Sequence, residues 1–176
     1  MTETPQRLGK GMIIVAWLLV LGLLTLFFND VLDSQNNPNQ ELTVQHYQDG
    51  SQAVVLQRNR SGHYVTPGTI NNMPVVFFLD TGATVVSIPE KLATHLRLKR
   101  GIPMQMTTAN GTVTAYSTEL DKVTLGPITL HQIRASINPQ MQDDEILLGM
   151  SFLKQLEFTQ RGDTLILHQL PNVKKR

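Results

Sequence analysis

Two hydrophobic regimes follow one another along this chain. From Gly11 to Asn29 no residue carries a charge, and Met12 to Phe28 is almost wholly apolar. A helix of that length spans roughly 27 Å, close to the hydrocarbon thickness of a bilayer. The run has no polar face, so it does not read as a buried core helix. No small-x-small cleavage pattern follows it; the next residues are Asn29-Asp30-Val31-Leu32-Asp33. We therefore expect an uncleaved signal anchor over residues 11–29 rather than a signal peptide that is removed.

Arg7 and Lys10 precede the apolar run, and no Lys or Arg follows it until Arg58. The positive-inside rule then puts residues 1–10 in the cytoplasm and the rest outside it, which in a bacterium is the periplasm. Residues 30–43 are polar, rich in Asn and Gln, and include Pro38. They read as a linker holding a domain of residues 44–171 off the membrane, with 172–176 as a basic tail.

Beyond the linker the pattern changes to short β-type runs divided by turn signals. Strands are expected at Ala53–Arg58, His63–Ile70, Val75–Leu79, Val85–Ile88, Ile102–Ala109, Thr112–Thr118, Lys122–Leu125, Ile128–Ile137 and Thr164–Gln169. Asn71-Asn72, Asn110-Gly111, Gly126-Pro127 and Gly162-Asp163 punctuate them, and Asn-Gly favours a tight hairpin. Only Pro89–Leu96 and Met150–Leu156 look helical. The expectation is a mostly-β barrel or sandwich with one or two short helices.

Composition narrows the function. Hydrophobic residues make up 41% and charged residues 16%, which suits a packed core. Net charge is +1, and the one basic cluster expected is Lys174-Lys175-Arg176. With no basic stripe interleaved with aromatics, nucleic acid is not an expected partner. Cysteine is absent, which excludes disulfides, thiol nucleophiles and cysteine metal sites. The five histidines make no metal-ligand spacing, so neither a metal nor another cofactor is expected. Asp143-Asp144-Glu145 lacks calcium-loop spacing and reads as a solvated loop. Asn59-Arg60-Ser61 and Asn110-Gly111-Thr112 fit the glycosylation sequon. Ser87 has no readable His and Asp partners.

The informative segment is Val75-Val76-Phe77-Phe78-Leu79-Asp80-Thr81-Gly82-Ala83-Thr84. A run of five buried-type residues ends abruptly in Asp-Thr-Gly, and a carboxylate there is costly unless hydrogen-bonded or useful. A simple turn capped by Asp80 is the bland explanation. A phosphotransferase nucleophile after a strand would want Asp-x-Asp, but position 82 is Gly.

The wider arrangement resembles the retropepsin-like aspartic protease family, in particular its bacterial, membrane-anchored members. Phe78-Leu79-Asp80-Thr81-Gly82-Ala83 matches the hydrophobic-hydrophobic-Asp-Thr-Gly-Ala motif, and Ile146-Leu147-Leu148-Gly149 followed by a short helix matches the second motif. The resemblance spans about residues 53–169. Where retroviral members carry an acidic residue after Ala, this chain has Thr84.

The resemblance implies a closed β-barrel of the acid-protease half-fold and hydrolysis of an extended peptide or protein substrate. Asp80 would be catalytic, supported by Thr81, Gly82 and Ala83, beneath a flap at Thr108, Ala109, Asn110, Gly111 and Thr112. Two carboxyl groups sharing one proton can activate water and polarise a carbonyl. Because Asp-Thr-Gly occurs once, the second carboxyl must come from another copy, in a homodimer. The rival expectation is a catalytically silent dimeric binding or scaffolding module of the cell envelope.

Overall fold

The computed structural model describes residues 4–108, 111–142 and 144–169. Helix α1 (Thr4–Asn36) holds the apolar run and continues past its expected end at residue 29. Its segment from Gly11 to Asn36 is long and apolar enough to cross a membrane, and the apolar stretch within it is exposed. Trp17 and Leu23, for example, are 70% and 67% exposed.

The β-rich domain follows. Strands β1 (Thr43–His46) and β2 (Gln52–Gln57) form an antiparallel hairpin. Next come β3 (Val65–Ile70), β4 (Met73–Leu79), β5 (Val86–Pro89) and the short helix α2 (Glu90–His95). The long hairpins are built from β6 (Pro103–Thr108), β7 (Gly111–Leu125) and β8 (Ile128–Asn138). The chain ends in β9 (Ile146–Leu148), helix α3 (Met150–Leu153), β10 (Leu156–Arg161) and β11 (Thr164–Gln169).

These strands make two sheets, ordered β1-β2-β11-β10 and β3-β4-β9-β5-β8-β7-β6. In the larger sheet β3 also pairs with β7 through Thr69–Thr124 and Ile70–Val123. That pairing closes six strands into a barrel, which removes two sheet edges and leaves β6 outside as a projecting hairpin arm. The closed, mostly-β expectation holds.

Along β7 and β8, Leu120, Val123, Leu125, Leu130, Ile133 and Ile137 are buried, and the alternation changes phase where Asp121 and Gln132 drop out of the pairing register. They meet Phe77, Ile88, Leu148 and Phe152, all fully buried, in one core. Truncating a residue such as Phe152 to Ala would cost about 3–5 kcal/mol. Gly68 shows how tightly β3 is packed, because a Cβ there would stand 2.5 Å from the Phe77 ring and 2.6 Å from the Thr124 carbonyl oxygen.

Several boundaries differ from the sequence expectation. The two strands expected at 112–118 and 122–125 are one strand, since buried Leu120 keeps the polar stretch between them in register with Ile133. Strands β1, β9 and β10 were not expected as strands. Nor are residues 30–43 a free linker. They contain the last turns of α1, and Asn39 is only 3% exposed. Its amide nitrogen donates to Gln57 O (2.9 Å) and Val65 O (2.7 Å), while its oxygen accepts from Gln57 N (2.6 Å).

Candidate active site

Strand β4 delivers Asp80 to the end of the barrel. β4 runs parallel to β9, with Phe77, Phe78 and Leu79 beside Ile146, Leu147 and Leu148. On its other side β9 meets β5 through Leu147 and Ser87. The loop of residues 80–85 must therefore cross over the end of β9 to carry the chain from β4 to β5. Each of its fixed points is a hydrogen bond to the second motif or to itself.

Asp80 N donates to Leu148 O (3.3 Å) and Met150 N donates to Ala83 O (2.8 Å). Ala83 N donates to the Asp80 carbonyl at 3.3 Å. Within the loop, Gly82 N donates to Asp80 Oδ1 at 2.8 Å. This bond orients the carboxylate and leaves its Oδ2 for other partners. The structure thus brings Asp80, Gly82, Ala83, Leu148 and Gly149 together, with Thr81 and Gly82 exposed at the surface.

The neighbouring side chains are mostly apolar. Asp80 and Thr81 line a cavity of about 430 Å³ with His63, Tyr64, Phe78, Leu79, Phe158 and Leu165 among its walls. The His63 and Phe78 rings lie 4.7 Å apart between centroids. Phe158 is 43% exposed. Of the five buried-type residues before Asp80, only Phe77 is fully buried, and Val75, Val76, Phe78 and Leu79 are half-buried. They end in a surface, not in the barrel core.

Three of the residues expected in a flap, Thr108, Gly111 and Thr112, lie in the β6–β7 hairpin. Thr108 pairs with Gly111, and Thr107 with Thr112, at the tip of the β6–β7 hairpin. Ala109 and Asn110 lie outside the described residues.

Sequence reasoning missed Ser151. Its hydroxyl donates to Arg134 O (2.7 Å) and accepts from Val86 N (3.0 Å), so it ties β5 to β8 behind the loop. It also missed His63, Tyr64 and Phe158, which reach Asp80 from β10 and the segment before β3. No sequence motif marks them; only the fold brings them near.

Several other residues have structural roles. Ser87 is buried, within hydrogen-bond reach of Met141 Sδ and Ser136 Oγ. Asp144 pairs with Lys91 at 3.0 Å on the surface, and Asp143 lies outside the described residues. Asn59 is engaged by its own loop, its Oδ1 accepting from Ser61 N and His63 N.

The C-terminal basic triplet lies outside the described residues, but the reading of a single basic cluster needs correction. Arg97, Lys99, Arg100 and Arg134 line a cavity of about 630 Å³ that contains no part of Asp-Thr-Gly. Glu119 and Asp121 share its walls, and Arg100 pairs with Glu90 and stacks on Tyr116. This mixed-charge surface is away from the carboxylate and is the larger cavity of the two.

Residues 66–155 match the family described as "gag-polyprotein putative aspartyl protease". The crystal structure of a retropepsin-like aspartic protease from Rickettsia conorii is similar, with a TM-score of 0.58 and 27% identity over 73% of this chain and 96% of that one. A Sinorhizobium sp. protein named only as an uncharacterized protein in the cobV 5′ region is 30% identical over 94% of this chain and 76% of its own length. The matched span runs from β3 through the Asp80 loop to α3, the segments that form the braced loop. The chain belongs to the retropepsin-like aspartyl protease family.

Proposed function

We propose that two copies of this chain pair about a twofold axis as an aspartic endopeptidase, each giving one Asp80 carboxyl to a shared site. The observation that carries this reading is the surface around Asp80. A rigidly held carboxylate sits beside half-exposed Phe78, Leu79 and Phe158, although a monomer would leave that apolar surface in water.

Two like carboxylates a few ångströms apart cannot both ionise, so the pair holds one proton. The ionised member takes a proton from water as it attacks the peptide carbonyl, and the protonated member donates to the carbonyl oxygen. Gly82 N holds Asp80 Oδ1, so the carboxyl plane is set before substrate arrives. Exposed Thr81 is suited to hydrogen-bond across the pair. The second motif, Ile146 to Gly149, is the floor that keeps the loop in place. An extended substrate would lie beneath the β6–β7 hairpins of both copies, bound through its main chain.

We further read α1 as an anchor with residues 1–10 on the cytoplasmic side and the protease domain of residues 44–171 outside. The charge asymmetry of Arg7 and Lys10 supports it.

The test is Asp80→Asn. An endopeptidase loses hydrolysis of a peptide library while its circular dichroism and sedimentation stay as in the parent. A binding module shows no hydrolysis in either form, and that result would remove the proposal.

A further inference from the structure

The end of α1 is built into the domain. Beyond Phe28 the helix continues through eight more residues, Asn29 to Asn36, a rise of about 12 Å. Its end meets the loop between β2 and β3 through one backbone carbonyl and one side-chain amide. Asn59 Nδ2 donates to Asn36 O (2.9 Å) and Arg60 Nη1 to Gln35 Oε1 (3.2 Å).

That loop is stiff. Asn59 N donates to His63 O (2.7 Å), Gly62 N to Asn59 O (3.0 Å), and Arg58 Nε to Gly62 O (2.9 Å). Three residues beyond α1, the buried Asn39 amide uses both its donors and its oxygen on Gln57 and Val65. Asn37 Oδ1 accepts from Asn39 N at 3.0 Å, which closes the turn between helix and clamp. A chain that only needed a tether would have no use for a buried amide with three bonds at this point. The same loop continues through His63 and Tyr64 into the wall of the Asp80 cavity.

We propose that α1 and the protease domain move as one body, which holds the Asp80 site at a fixed, short height above the bilayer. Its substrate is then the juxtamembrane segment of another membrane-anchored polypeptide. The substrate class rests on the endopeptidase reading above; the fixed height does not. Arg60 stands at the helix end beside Gln35, where its charge suits anionic headgroups. A stretch of substrate emerging from the same membrane meets the site at high effective concentration only within a narrow range of spacer lengths.

The absence of cysteine allows a clean probe. Full-length chain carrying Ser61→Cys with a fluorophore is placed in vesicles of phosphatidylethanolamine and phosphatidylglycerol with a headgroup quencher. Seven helix-forming residues inserted within Asn29–Asn36 lift a rigid domain by about 10 Å, and seven glycines do not. The proposal expects quenching to fall at least about twofold with the helical insert and to change little with the glycine insert. Equal quenching in both forms overturns the fixed height.

Reporters with one transmembrane helix then carry a library-selected cleavage sequence after spacers of increasing length. The spacer cut fastest lengthens by about three residues with the helical insert alone. A cleavage rate independent of spacer, with free peptide still cut, overturns the substrate class. If free peptide is not cut at all, the endopeptidase reading fails while the quenching result still decides the fixed height.

Discussion

Gly149 stands against the loop that follows the candidate catalytic carboxylate so closely that a Cβ on it would lie 2.6 Å from the carbonyl oxygen of Ala83. The Val85 carbonyl crowds the same spot. This contact explains why the second motif must end in glycine. The loop of residues 80–85 crosses over β9 and has no room for a side chain beneath it.

Gly149→Ala is therefore expected to destabilise the domain by about 2–4 kcal/mol through backbone displacement, larger than the usual effect of a point change. Peptide hydrolysis should fall by more than tenfold even at temperatures where the variant stays folded, because the displaced backbone carries Asp80 with it. Urea unfolding and single-concentration rates check both parts.

Ser151→Ala removes one hydroxyl and leaves Val86 N and Arg134 O without that partner. Stranding such buried groups costs about 1–3 kcal/mol. Replacement by Thr, which keeps the hydroxyl, should recover part of this loss. Calorimetry of the three forms distinguishes a lost hydrogen bond from a lost volume.

Phe158→Asp tests the surface beside Asp80. A charge there should weaken self-association at least about tenfold and lower specific activity at low protein concentration, with recovery as concentration rises. Sedimentation equilibrium and a dilution series of rates should move together. An unchanged association constant would exclude β10 from the interface.

Asp49 offers a pH prediction independent of catalysis. Its carboxyl lies below the usual carboxylate range because Ser51 Oγ and Ser51 N both donate to it. A folded value below the unfolded one means that the contribution to stability is present above about pH 4 and is lost as pH falls through the folded value. Thermal denaturation of Asp49→Asn should therefore differ from the parent at neutral pH, and the gap should close in acid.

The barrel was legible because β-branched runs such as Val123-Thr124-Leu125 and Ile128-Thr129-Leu130 alternate cleanly about one buried face. The Asp80 loop was legible because a polar triplet interrupts an apolar run. Strand β10 was not, because only Leu156 of its six residues is buried and the rest of Glu157–Arg161 offers no inward face. Helix α1 outran its expected end because Asn and Ser are weak helix formers read in isolation, while Asn59 and Arg60 hold that end from elsewhere in the chain. Asn39 looked like linker for the same reason. An amide reveals its burial only when Gln57 and Val65 fold around it.

The most direct test of the shared site mixes the parent chain with Asp80→Asn at equal amounts, allows subunits to exchange, and measures peptide hydrolysis. If each site needs a carboxyl from both copies, mixed pairs are dead, and activity falls to about a quarter of that of the same total amount of parent. Activity of about a half, in simple proportion to the parent chain present, would mean that each copy works alone and would contradict the account.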